Sequence, residues 1–134
     1  MSTQTTTSEY MLLFHGSQWD KGLSPEEIQK VMGQWNAWLE RLTLQGKVKA
    51  AQPLEREGKI VSGKRGTVAD GPFAESKEAI GGYFLLQVDG LSEALEIAKE
   101  CPSLGYGVTI EVRPVAAQCP SFQHLNKQLA SASA

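Results

Sequence analysis

His15 and Asp70 are the two residues best placed to do chemistry. His15 follows the apolar run Tyr10-Met11-Leu12-Leu13-Phe14 and precedes Gly16; Asp70 opens the run Asp70-Gly71-Pro72-Phe73-Ala74-Glu75. An imidazole changes charge near neutral pH, and a carboxylate on its second nitrogen fixes the tautomer and aims the ring. Such a pair would abstract a proton beside a carbonyl, or assist a leaving group, without any cofactor. Gly71 can take a positive φ and Pro72 has a fixed one, so Asp70 sits in a stiff turn, where it would serve equally well by accepting backbone amides. Arg113 offers a bidentate contact to a substrate carboxylate, or an ion pair with Glu111. Trp35 and Tyr83 would supply an indole wall and a phenol to a pocket, roles that compete with plain packing. The expected site is therefore His15 and Asp70 as catalytic pair, with Trp35, Tyr83 and Arg113 binding substrate.

The elements that must position these residues are legible. Ser24-Pro25-Glu26-Glu27 starts a helix: Ser24 caps, Pro25 takes the first helical position and Glu27 completes a capping box. Ile28, Val31, Met32, Trp35, Trp38, Leu39 and Leu42 recur at spacings of three and four, one apolar face of a long helix that stops near Gly46. Val48 to Leu54 and Lys59 to Val61 read as a β-hairpin turned at Glu55-Arg56-Glu57-Gly58, with Gly58 at positive φ. Gly82 to Val88 is the strongest strand. A shorter helix runs from about Ser92 to Cys101 and ends at Pro102, and Val108 to Arg113 alternates as a last strand before Pro114. Residues 1–9 form a polar, Thr-rich tail without the pattern of a signal peptide, 10–115 one domain, and 116–134 a tail with Phe122, Leu125 and Leu129 at helical spacing.

The composition narrows the function classes. With 134 residues and a net charge of −2, the chain suits one domain and has no global basic field for nucleic acid or an anionic membrane. Lys47, Lys49, Lys59, Lys64 and Arg65 form a local basic span that suits a solvated hairpin edge. Cys101 and Cys119 lack metal or redox spacing, and with only two histidines no metal or cofactor is expected. Cysteine usage and the lack of a membrane-length apolar run point to a soluble cytoplasmic protein. There is no P-loop, nucleophile elbow or HExxH.

The element order β-α-(hairpin)-β-α-β gives an α+β fold, a ferredoxin-like split βαβ with an inserted β-hairpin. Its antiparallel sheet carries both helices on one face. The opposite face would remain apolar and open, so a homodimer closing two such faces into a barrel is expected.

The stretches Tyr10–Phe14, Leu23–Glu27, Asp70–Glu75, Gly81–Phe84 and Glu111–Pro114, in this order, resemble the YCII-related family, in the subgroup named for its Asp-Gly-Pro-Phe loop. The resemblance runs from about Tyr10 to Val115. It implies a dimeric α+β barrel similar to small enzymes acting on muconolactone-like and chlorinated ring-derived acids, some relatives having a proposed His–Asp centre. At the end of the first strand the subgroup often has Arg where this chain has His15. Two functions follow: a cofactor-independent lyase, isomerase or dehalogenase-like enzyme acting on a small organic acid, or a small-molecule-binding or regulatory dimer without catalysis. A protein-interaction module is the third reading.

Overall fold

The computed structural model describes residues 8–16, 19–71, 79–116 and Leu129. The chain runs through β1 (Ser8–His15), α1 (Pro25–Leu44), β2 (Val48–Pro53), β3 (Lys59–Ser62), β4 (Thr67–Asp70), β5 (Ile80–Val88), α2 (Leu91–Ala98), a 3₁₀ turn (Leu104–Tyr106) and β6 (Thr109–Pro114). Four strands form one antiparallel sheet in the order β2-β5-β1-β6, and β3 and β4 pair separately. This is the ferredoxin-like arrangement. Each of the two β-α-β passes skips over one strand, which then fills the gap antiparallel to its neighbours.

Local chemistry explains the helix boundaries. Ser24 accepts from Glu27 N–H while the Glu27 side chain accepts from Ser24 N–H, and Pro25 opens the helix. At the other end Gly46 takes φ +72°, letting the chain leave α1 for β2. In β1 the period of two sends Leu12 and Phe14 inward under the helices and turns Met11, Leu13 and His15 to the opposite face. Trp38 and Leu42 of α1 and Ala94, Ile97 and Ala98 of α2 pack on Leu12, Phe14, Phe84, Leu86 and Val88 to form the core.

Three expectations need correction. Residues 48–54 do not form a hairpin with 59–61. β2 is drawn into the main sheet beside β5, and Leu54 N–H continues that ladder to the Gly81 carbonyl. β3 pairs instead with β4, and the positive φ angles of the turn belong to Gly63 (+78°) and Gly66 (+69°), not to Gly58. The first strand also starts at Ser8, so Ser8 and Glu9 belong to the sheet rather than to a tail. Residues 1–7 and 72–78, with Cys119, Phe122, His124 and Leu125, lie outside the described residues.

The glycine pair before Tyr83 has two separate causes. Phe14 pairs with Gly82 and His15 with Ile80, so Gly81 is the extra residue of a bulge. A Cβ on Gly82 would lie 2.9 Å from the Gln52 carbonyl oxygen and 3.2 Å from Pro53 Cα, so only glycine lets β5 approach the end of β2 this closely.

Candidate functional site

A cavity of about 270 Å³ lies between α1 and the converging ends of β1, β2 and β5. Met32, Trp35, Asn36 and Leu39 come from α1, Phe14 and Gly16 from the end of β1, and Ala51 to Pro53 from β2. Gly81 to Phe84 of β5 form much of the floor, and Trp19 and Val108 complete the wall. The position follows from the fold. α1 covers the sheet near its own C-terminal end, while small residues at Gly81, Gly82 and Ala51 leave space beneath its middle turns.

The wall is an aromatic cluster held from behind. Phe14 meets Trp35 edge to face at a centroid distance of 5.0 Å and meets Phe84 in the same manner, also at 5.0 Å. Trp35 Nε1–H donates to Ser103 Oγ at 2.7 Å, and Ser103 is completely buried. The indole is thus fixed from the side away from the cavity and presents its ring to the space. Trp38 packs against Trp35, but its own buried Nε1–H has no hydrogen-bond partner among the described residues. Trp19 packs at a tilt against Tyr106 with ring centroids 6.3 Å apart, and Asp20 beside it pairs with Arg56 at 3.1 Å, tying this loop to the turn after β2.

The expected catalytic pair is not formed. His15 Nε2–H donates to Glu111 Oε1 at 3.0 Å on the sheet face away from the helices, where Glu111 also lies 3.6 Å from Arg113 Nε. Strand alternation is the reason: Phe14 points to the cavity, so His15 must point away. Leu13 is paired with Glu111, which puts that carboxylate on the same face, one diagonal step from His15. Asp70 is largely exposed at the end of β4 and pairs with Lys59 across the separate hairpin. Of the five residues singled out in the sequence, Trp35 and Tyr83 border the cavity, Tyr83 as a strand position whose side chain alternates with Phe84 to the opposite sheet face; His15, Asp70 and Arg113 do not.

Trp19, Asn36 and Ser103 went unremarked in the sequence. Trp19 carried one signal, a large aromatic in a polar loop. Asn36 reads as an ordinary surface residue of α1, and a serine after a helix end carries no mark of burial. The basic span is largely neutralised: Lys47 pairs with Glu93, Lys49 with Glu9 and Lys59 with Asp70. Burial pushes the Cys101 thiol up to about 11, which makes it a packing residue rather than a nucleophile. Among the described residues no cluster of His, Cys, Asp or Glu is suited to a metal, and no helix is long and apolar enough to cross a membrane.

Sheet order, helix placement and cavity together define a ferredoxin-like α+β domain with an apolar pocket under its first helix. A family model for the YCII-related domain matches residues 9–118, and the chain belongs to that family. An uncharacterised protein of Rhizobium meliloti (strain 1021) is 44% identical over 57 residues, a match spanning 40% of this chain and 44% of the relative. Among solved structures, a hydroxynitrile lyase from Passiflora edulis aligns with a TM-score of 0.40 at 8% identity, over 86% of this chain and 99% of the other. A hypothetical Arabidopsis thaliana protein solved in solution aligns at 0.37 and 15% identity, over 89% and 97%.

Proposed function

We propose that this YCII-related protein binds a small organic molecule in the cavity beneath α1, and that it works as a homodimer. The observation that carries the reading is the cavity itself, about 270 Å³ of space lined by rings, aliphatic side chains, bare strand backbone and the Asn36 carboxamide. Apolar space of this kind favours a compact ligand with an apolar body. Binding is favoured over lyase, isomerase or dehalogenase-like turnover by the His15–Asp70 pair, because neither residue lines the cavity and each is engaged elsewhere. The test is a fragment screen by thermal shift, with every stabilising mixture analysed by mass spectrometry. A compound that raises Tm and is recovered unchanged supports binding. Consumption of the compound, abolished by His15→Ala, would restore the catalytic reading. The Ala51→Phe variant, which fills the cavity, should lose the shift.

The dimer reading rests on the sheet face opposite the helices. There Met11 pairs with Leu85 and Leu13 with Tyr83, an apolar strip flanked by the His15–Glu111–Arg113 and Glu9–Lys49 ion pairs. A second copy would bury this strip on both sides at once. Sedimentation should give a dimer for the wild type and a monomer for Leu13→Glu; a wild-type monomer at tens of micromolar would refute it.

A further inference from the structure

We propose that the cavity's ligand is an uncharged, flat aromatic compound bearing one hydrogen-bonding group, of the amide or alcohol type, and not an organic acid. This deepens the reading of the cavity as a binding site and rests on it. Among the described residues, none of those lining the cavity is Asp, Glu, Lys, Arg or His. Of the cations close in the chain to lining residues, Lys49 is paired with Glu9, Lys47 with Glu93 and Arg56 with Asp20, while Lys21 and Lys30 are exposed and are not among the lining residues. A carboxylate entering the cavity would shed water and find no opposite charge among the described residues, which disfavours the charged form strongly. A neutral ligand carries no such penalty.

The shape of the wall points to a flat body. Phe14, Trp35 and Phe84 stand edge to face around one another, with centroids 5.0 to 6.0 Å apart, and an inserted ring extends that pattern. Trp35 is no donor to a ligand, because Ser103 holds its N–H. Of the two carboxamide residues lining the cavity, Gln52 is the cross-strand partner of Tyr83 and shares its direction to the opposite sheet face. The polar contact therefore falls to Asn36, an exposed residue of α1 that makes no hydrogen bond to the described residues. A carboxamide both donates and accepts, so it can pair with an amide or a hydroxyl in either orientation.

The experiment uses the full chain and an isosteric pair, benzamide and benzoate, titrated by calorimetry into wild type, Asn36→Lys and Ala51→Phe. Asn36 is exposed, so its substitution leaves the core untouched. The expected result is benzamide binding at least about tenfold tighter than benzoate, lost in Ala51→Phe, with the preference reduced or inverted in Asn36→Lys, where a cation now meets the carboxylate. Benzoate binding as tightly as benzamide, and lost in Ala51→Phe, would overturn the charge selection while leaving the cavity as the site. An unchanged preference in Asn36→Lys would overturn the placing of the polar group at Asn36. If neither probe binds at millimolar concentration, or if benzamide binding survives Ala51→Phe, the cavity reading fails and this inference with it.

Discussion

Trp35 and Ser103 form a hydrogen bond whose two halves should cost different amounts to remove. Ser103 is wholly buried whereas Trp35 is half-buried at the cavity wall, and the Nε1 to Oγ distance is 2.7 Å. Ser103→Ala deletes the acceptor. The indole N–H loses its acceptor while the ring keeps its packing, so the loss approaches that of one ordinary hydrogen bond, about 0.5–1.5 kcal/mol. Trp35→Phe deletes the donor and strands a hydroxyl with no solvent access. That adds a desolvation penalty of about 1–3 kcal/mol to the packing lost with the larger ring. The double variant removes both groups, so its cost should fall below the sum of the two by about 1 kcal/mol. Urea unfolding followed by far-ultraviolet circular dichroism measures all three, and avoids a tryptophan signal that the substitutions themselves change. In a domain of this size about 1 kcal/mol corresponds to roughly 3–5 °C in Tm, well within reach. If Trp35→Phe were no costlier than Ser103→Ala, or the two costs added without coupling, the reasoning would be wrong. Ser103 would then be filling space rather than anchoring the indole.

Two glycines should respond to alanine with opposite signs. Gly82→Ala drives a Cβ to 2.9 Å from the Gln52 carbonyl oxygen, and should destabilise by about 1–3 kcal/mol in thermal unfolding. Gly33→Ala, in the middle of α1 with no atom within 4 Å of the new carbon, should stabilise by about 0.5–1 kcal/mol. Ser24→Ala removes the capping box and should cost about 1 kcal/mol by the same measurement. Hydrogen bonds from Ser24, first from its backbone N–H, hold the Glu27 carboxyl below its usual pKa; contacts from Lys47 and then Asp89 do the same for Glu93. A depressed carboxyl stabilises the fold above its unfolded pKa, and that contribution disappears as pH falls through the folded value. Glu27→Gln should therefore cost less at pH 3 than at pH 7; an equal cost at both would contradict the assignment. In a Cys119→Ser background, Cys101, with its thiol at about 11, should resist iodoacetamide at pH 8 until urea unfolds the chain; rapid labelling of the native protein would refute its burial.

The amino-acid sequence by itself determined the elements whose signals are local. The capping box at Ser24, the three-and-four spacing through Leu42 and the alternation in β6 are contacts between near neighbours in the chain. They are enough to name the fold, and the ordered motifs from Tyr10 to Pro114 are enough to name the family. Strand partnership was decided only by the tertiary structure. Residues 48–54 and 59–61 look like a hairpin because they are adjacent, yet the free edge of β5 claims the first segment and β4 the second. The direction of His15 follows from which face of β1 the helices cover, so the imidazole meets Glu111, 96 positions away, rather than Asp70. The cavity belongs to the same class of facts. Trp35 was visible as one residue of an apolar stripe, but its role as a wall depends on Ser103, 68 positions on, and on the space left by Gly81 and Gly82. Local sequence specifies what each segment can become; the packing of distant segments decides which side chains meet, and that is where binding chemistry arises.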